Sequence, residues 1–344
     1  MKQLFDAKKV NELIAANKVA ENEGKDIKEV EGTGVALIKS ATPGKTRNGN
    51  PRFSGSVENQ ETVQYNVWCD TPAYQTLSSA QIIPGETVAD ISYSIGKFGL
   101  VIKAITILDD PAYTREMFVH SKYDLKELND DLKDTLNKCG LTEKGMQLLK
   151  IIFGIGTENN IFPSFSKEQA AMNHHDNCES GLLAHTIKCL RIYNDGIRPI
   201  YRTLNDERTN DVLIIGLMVH DVGKIWEMHH GNYTPNSFVT HRLLGAEHLF
   251  LFKDQIVDLY DEEFYYHLLA IVDQHHDEYG EHAKTVYAYI VHMIDDMEAK
   301  LTVMNEVIKN ERDSGNPSDW KVRMSAEKGG DKFLTFFRPT SDKE

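Results

Sequence analysis

The apolar residues of this chain change period once, between residues 108 and 166, and that change restricts what it can fold into. Upstream, VALIKSAT, RFSGSVEN, TVQYNVWCD, ETVADISYSI and LVIKAITIL are short β-rich runs divided by Pro-Gly, Asn-Gly and Gly-Glu turn signals. Five such runs within about 75 residues, with little helical signal among them, predict a small β-barrel. Downstream, LLAHTIKCLRIY, DVLIIGLMVHDVGK, GAEHLFLFK, EFYYHLLAIVDQHH and TVYAYIVHMIDDMEAKLTVMNEVI each repeat at i, i+3/i+4, which predicts helix almost throughout. Leu4, Phe5, Val10, Leu13 and Ile14 add a short leading helix. Residues 111–165 read as a connector with helices at Tyr123–Cys139, stopped by Gly140, and Glu143–Phe153. The last segment is turn-rich, with one strand-like stretch at Phe333–Phe337. The expected class is α+β and multidomain: leading helix 1–30, barrel 31–110, connector 111–165, helical domain 166–310 and tail 311–344.

With 344 residues, 41 % hydrophobic and 26 % charged, the chain has enough apolar material for about two packed domains, which excludes disorder, collagen-like repeats and disulfide miniproteins. A formal net charge of -14 argues against a simple basic coat for nucleic acid. That charge is unevenly spread: Gly32–Leu108 holds six Lys/Arg against five Asp/Glu, so the acid excess lies elsewhere. Four widely spaced cysteines without C-x-x-C exclude a zinc ribbon and predict unbridged thiols in a reducing compartment. MKQLFDAKKVNELIAANK has no apolar signal core, and no run reaches the roughly 18 apolar residues of a membrane span. A cytoplasmic protein with no membrane partner is expected.

Thirteen of the 14 histidines lie between His174 and His292. That density points to metal or acid–base chemistry in one segment. The sharpest motif, Val219-His220-Asp221-Val222-Gly223-Lys224, ends a very apolar helix. Around it come His185 on another core-facing helix, His241 and His248 in HRLLGAEHL, the pair His275-His276, and Asp295-Asp296 within YIVHMIDDMEAKL. Taken singly, each has an ordinary explanation: a helix histidine satisfied in the core, or acids on a solvated face. Together and in this order they read as ligands of a divalent cation, since an acidic pair in a buried helix is costly unless solvated, paired or metal-bound. Mixed imidazole and carboxylate donors suit Mn, Fe, Zn or Co better than Ca.

The order His185, His220-Asp221, Asp295 resembles the HD-domain metal-dependent phosphohydrolase superfamily, and the resemblance implies that these four bind a first metal. His241, with Gly245 four residues on, and His275-His276 resemble the extra ligands of its dinuclear members, with His248 a rival to His241. Lys224 and Glu227 complete a family-like H-D-x-G-K-x-x-E string. More narrowly, AAMNHHDNCESGLLAHT is similar to the A-A-x-x-H-H-x-x-x-x-G-G-L-x-x-H-T signature of YhaM-like 3′-to-5′ exoribonucleases, with Ser180 in place of the first Gly. QHHDEYG and IDDMEA resemble that group's S-H-H-x-x-Y-x-x-G and I-D-x-x-D-A, although EHAKT replaces an expected G-S-P. The resemblance covers 160–300 well and 32–110 weakly. It implies an N-terminal OB-fold followed by an all-α HD domain, and one or two divalent ions. Mn2+ is favoured, with Fe, Co, Zn, Ni or Mg also compatible.

The stretch KSATPGKTRNGNPR has four basic residues, Lys39, Lys45, Arg47 and Arg52, and no acid. It would fall in the first loop of an OB-fold, where it can grip a single strand. Phe53, Tyr65, Trp68 and Tyr93 are candidate stacking aromatics, of which Trp68 belongs to a V-W-C-D stretch that also resembles the family's OB pattern. The implied activity is metal-assisted hydrolysis of single-stranded RNA or DNA from the 3′ end, releasing nucleoside 5′-monophosphates. Asp221 would sit at its centre, Lys224 would stabilise developing negative charge, and His175 (with His174) would contact the scissile phosphate or protonate the leaving oxygen. The alternative is a nucleotide phosphohydrolase or cyclic-nucleotide phosphodiesterase, because the metal motif alone does not choose a substrate. A scaffold that keeps the fold without catalysis is a further alternative, and the sequence leaves a homo-oligomer open.

Overall fold

A computed structural model describes residues 2–79, 81–119, 121–171, 176–204, 206–235, 237–276, 281–313, 321–325 and 333–337. Its contacts divide the chain into two units: residues 1–122 with 228–234, and residues 123–227 with 235–344. The expected connector, 111–165, is therefore split at residue 123.

In the first unit, Asp6 caps helix α1 (Ala7–Asn22) by accepting from the Lys9 amide, and α1 buries Ala7 and Val10. Strands β1 (Val30–Lys45), β2 (Pro51–Asn59), β3 (Glu61–Trp68), β4 (Val88–Gly96) and β5 (Gly99–Ile107) follow. Their order is β1-β2-β3-β5-β4, and β4 pairs back onto β1, which closes the sheet on itself. Alternation sends Val63, Tyr65 and Val67 of β3 inward, where they meet Phe5, Ile38, Val57, Ile91, Ile95 and Ile102. Between β3 and β4 lies a helix that the sequence pattern did not signal, α2 (Pro72–Ser78), capped by Thr71 with Pro72 in its first turn. Seven residues are too few for a helical period to stand out. The basic stretch also differs from expectation. β1 runs to Lys45 and pairs with β2 as far as Pro51, so only Thr46–Asn50 forms the turn, and Lys39 falls at a bulge between Ile38 and Ser40. The small hairpin β6 (Met228–His229) and β7 (Asn232–Tyr233) belongs to this unit, with Asn232 Nδ2 donating to the Lys39 carbonyl.

The second unit is helical. Helix α3 (Leu125–Cys139) starts at the Asp124 cap and stops at Gly140, in the left-handed region at φ 68. α4 (Glu143–Ile152), capped by Thr142, and α5 (Phe162–Lys167) follow. α6 (Gly181–Arg191) runs into a π segment, Ile192–Ile197, and a last turn, α7 (Arg198–Ile200). α8 (Glu207–Val219) is buried from Thr209 to its end, as its unbroken run VLIIGLMV requires. The remaining helices are α9 (Lys224–Glu227), α10 (His241–Phe250), α11 (Lys253–Leu259), α12 (Glu262–Gln274) and α13 (Val286–Asp313). One continuous core joins Leu132, Leu136, Leu148 and Ile152 to Leu183, Ile187, Leu213, Ile271 and Ile294, so α3 and α4 are integral to this unit. Near the C-terminus β8 (Lys321–Ser325) pairs with β9 (Phe333–Phe337), the expected aromatic strand. Among the described residues no helix is long and apolar enough to cross a membrane.

Candidate metal centre

Five helices, with the turns that follow two of them, bring these side chains together. α6 carries His185, His220-Asp221 follow α8, His241 opens α10, His275-His276 follow α12, and α13 carries Asp295. A Cβ at Gly223 would lie 1.9 Å from the His241 carbonyl oxygen. Only glycine lets the turn after α8 come this close to the start of α10, and that approach delivers His241.

The side chains form two sets of possible ligand atoms: His185, His220, Asp221 and Asp295 in the first, and Asp221, His241, His275 and His276 in the second. Asp221 divides between them. Its Oδ2 lies 3.4 Å from His220 Nε2 and 3.8 Å from His185 Nε2, while Oδ1 lies 3.5 Å from His275 Nε2 and 3.6 Å from His241 Nε2. Asp295 Oδ1 reaches His185 Nε2 at 3.1 Å.

Four of the five rings have an acceptor at the nitrogen facing away from the sets. His185 Nδ1 meets Glu298 Oε2 at 2.5 Å, His220 Nδ1 the Leu217 carbonyl at 2.9 Å, His275 Nδ1 the Val272 carbonyl at 2.9 Å, and His241 Nδ1 Glu227 Oε2 at 2.8 Å. A proton on Nδ1 leaves the lone pair on Nε2, so each of these rings presents a donor atom inward. The Nε2 atoms of His185 and His220 then stand 3.3 Å apart, a separation at which two lone pairs repel unless a proton or cation lies between them. Asp221 Oδ1 and His275 Nε2 are buried without a hydrogen-bond partner. Such orphaned atoms are costly, and a cation satisfies both at once. The residues therefore fit a divalent metal at either set.

The electrostatics agree. Burial alone would raise the Asp221 carboxyl, but Lys224 and His220 beside it hold it well below the usual carboxylate range. Burial likewise opposes ionisation of Asp295, and the bond to His185 overcomes it. Burial pushes His275 down, and burial with His275 and His241 alongside pushes His276 down to about 3, so both stay neutral. Lys224 Nζ donates to Asp221 Oδ2 at 2.6 Å; burial works against its charge, and Asp221 restores it.

Comparison with known proteins supplies the family context. The chain is 24 % identical over 327 residues to the 3′-5′ exoribonuclease YhaM of Bacillus velezensis, covering 88 % of this chain and 93 % of that protein. It is 25 % identical over 301 residues to the YhaM of Listeria welshimeri, covering 84 % and 90 %. The chain is thus similar to YhaM over most of both sequences, and it is a phosphohydrolase. A dihydroneopterin 2′,3′-cyclic phosphate phosphodiesterase of Methanocaldococcus jannaschii is 28 % identical over 145 residues, 40 % of this chain and 54 % of that enzyme. No family model and no solved structure matches the chain.

In this YhaM-like chain the expected ligands His185, His220, Asp221, His241, His275, His276 and Asp295 converge, with Lys224 against them. His248 does not join them. Its Nε2 donates to the Ile152 carbonyl at 2.8 Å, and its ring packs on Trp226 and Phe252, so it anchors α10 to α4. His175 and His174 lie outside the described residues. His229 and His230 sit on the hairpin of the first unit, where His229 bonds Glu86. Two carboxylates behind the ligands went unassigned in the sequence, Glu227 and Glu298. Each stands in a quoted motif, at the last position of H-D-x-G-K-x-x-E and the fifth of IDDMEA, so the signal was present without a role.

The proposed nucleic-acid contacts all belong to the first unit. Lys45 and Arg47 are exposed at the β1–β2 turn. Lys39 Nζ pairs with Glu58 at 3.4 Å, and Arg52 donates to Asn66 Oδ1 at 2.9 Å, so these two are already engaged. Tyr65 is buried, with its hydroxyl on the Ser40 carbonyl. Phe53 packs on Tyr74, and Tyr93 on Phe5. Trp68 differs. It edges a groove of about 510 Å³ and meets Phe98, 64 % exposed, in a T-shaped contact at 5.7 Å, with Lys97 and Lys103 alongside. Phe98 was not singled out in the sequence, because a lone aromatic in a Gly-Lys-Phe-Gly turn carries no periodic signal.

Proposed function

We propose that this chain is a divalent-cation-dependent 3′-to-5′ exonuclease on single-stranded RNA that releases nucleoside 5′-monophosphates. The observation that carries the reading is Asp221, which turns one oxygen to each of two histidine-rich sets and is braced by Lys224. Similarity to YhaM over most of both chains supports the polymer substrate. His185, His220, Asp221 and Asp295 would hold one cation, and Asp221, His241, His275 and His276 a second. A divalent cation supplies a Lewis acid for phosphate oxygens and lowers the pKa of water.

The chain's own groups do the rest. Glu298, Leu217, Val272 and Glu227 fix the four rings through their Nδ1 atoms, so ligand geometry costs nothing to reorganise during reaction. Lys224, kept charged by Asp221, provides positive charge where the phosphate gains negative charge. His175 would deliver a proton to the leaving oxygen. In the first unit, read as an OB-fold, Trp68 and Phe98 would stack bases while Lys45 and Arg47 attract the backbone. The second unit is read as an HD domain.

The partial match to a cyclic phosphate phosphodiesterase favours one other reading, hydrolysis of small cyclic or mononucleotide phosphates. One RNA labelled separately at its 5′ and 3′ ends, incubated with Mn2+, Mg2+ or chelator, separates the two. Stepwise shortening of the 5′-labelled strand, with prompt release of mononucleotide from the 3′ label and only with metal, is expected. Intact RNA beside hydrolysed cyclic mononucleotides would reject the exonuclease.

A further inference from the structure

Behind His185 lies a ladder of polar groups, its two carboxylates buried and its lysine half-buried, that neither ligand set uses. Glu298 is 2 % exposed; its Oε2 holds His185 Nδ1 at 2.5 Å, and its Oε1 accepts from Lys188 Nζ at 3.0 Å and Thr302 Oγ1 at 2.6 Å. Lys188, three residues after His185 on α6, also donates to Asp176 Oδ2 at 2.7 Å. Asp176 is 1 % exposed, and its Oδ1 accepts from the Tyr123 hydroxyl at 2.6 Å. A Cβ at Gly181 would lie 1.9 Å from the Asp176 carbonyl oxygen, so the first turn of α6 and Asp176 approach as closely as glycine permits.

Stability does not account for this ladder. The two carboxylates, Asp176 and Glu298, are buried and lose hydration that a half-exposed Lys188 only partly returns, and apolar residues of the same volume would hold the helices as well. The partners of the ligand histidines suggest a purpose. His220 and His275 lean on carbonyls three residues earlier in their own helices, a partner the backbone supplies unaided. His185 instead takes a carboxylate from another helix, α13, the helix that also gives Asp295. A carboxylate behind a histidine fixes its tautomer and raises its basicity toward a metal.

We infer that Glu298, held by Lys188 and through it by Asp176, is a positioning residue that fixes His185 for the first ligand set and gives that set its affinity. The inference rests on the reading that cations occupy the two sets.

The test is a titration of the purified full chain with Mn2+ alone, following free Mn2+ by its electron paramagnetic resonance signal. The wild-type protein should take up two ions. Glu298→Gln keeps the shape and an acceptor for Nδ1 while removing the charge, and should weaken one of the two ions by about 10–100-fold while sparing the other. In a His276→Ala background, which cripples the second set, the ion that remains should be the weakened one. Lys188→Met should act in the same direction with an unchanged melting temperature, and it carries the test if Glu298→Gln does not fold. Two unaltered ions in both variants would overturn the inference, as would equal weakening of both ions with a lowered melting temperature. A wild-type protein that takes up no Mn2+ would overturn the cation reading itself, and that outcome is seen before any substitution is made.

Discussion

In the helical unit the groups proposed for chemistry, His185, His220, Asp221 and His275, are each at most 2 % exposed, and each ring is bonded from behind. In the sheet unit the groups proposed for binding are laid out in the opposite way. Lys45, at the end of β1, and Arg47, in the five-residue turn after it, are exposed, and Phe98 stands 64 % exposed beside Trp68. Cation ligands lose affinity when displaced by fractions of an ångström, so their positions are fixed by packing. Contacts to a single strand tolerate variation because any base has a face to stack on and any phosphate a charge to attract. Substitutions in the two units should therefore fail in different ways.

The largest difference is expected at Asp221 and Lys224. Asp221→Ala should lower turnover by at least about a thousandfold, and Lys224→Met by about 10²–10³, with binding of RNA to the unreactive protein nearly unchanged. Comparable losses of RNA affinity in a gel-shift assay would erase the division of labour between the units. Next come the sheet residues. Trp68→Ala and Phe98→Ala should each weaken RNA binding by about 1–3 kcal/mol and raise KM with little change in kcat. Arg47→Ala should flatten the salt dependence of binding by about 0.7 in the log–log slope. A fall in kcat without a rise in KM would assign these residues to the chemistry instead.

A subtler contrast separates the two ligand sets. Burial disfavours a charged His185, but Cys189, Asp295 and Glu298 around it hold its pKa well above the ordinary histidine value, so in the cation-free protein it is protonated at neutral pH. A cation entering the first set must displace that proton, and affinity there should rise with pH. His275 and His276 are held below the ordinary value and are already neutral at pH 7, so the second set should bind with little proton release. Calorimetry in two buffers of different ionisation enthalpy would show this as proton release accompanying only one ion. Equal release at both, or at neither, would contradict it.

The smallest effect concerns the backbone. Ser180 adopts φ 64 just before α6. A left-handed conformation costs a residue with a Cβ about 1–2 kcal/mol, and glycine returns about 0.5–1 kcal/mol of this as extra unfolded-state entropy. Ser180→Gly should thus stabilise the helical unit by about 0.5–1 kcal/mol, measured by denaturant unfolding, and destabilisation would show that the hydroxyl has a role. The similar signature has Gly at this position, so the departure noted in the sequence has a conformational meaning in the structure.

Much of this was legible in the residues. The unbroken apolar run of α8 followed by His-Asp, and the acidic pair after the apolar start of α13, marked side chains that the fold brings together. The strand alternation marked the closed sheet. What remained hidden depended on packing between elements. His241, Gly245 and His248 share one helix face by period, so periodicity could not say which histidine faced the ligands; the Gly223 contact and the Ile152 carbonyl decide it. Glu298 was read only as a motif position, because its partners His185 and Lys188 lie more than a hundred residues away. The turn at Thr46–Asn50 was read as a longer loop because the outer parts of β1 and β2 are exposed or half-buried and show no inward alternation.

The most direct test of the shared carboxylate is the number of Mn2+ ions bound per chain, measured by equilibrium dialysis for the wild-type protein and for Asp221→Ala. Two ions are expected in the wild type, with both weakened in the variant and the fold retained by circular dichroism. Two ions bound unchanged after removal of Asp221, or none bound to the wild type, would contradict a centre built around that residue.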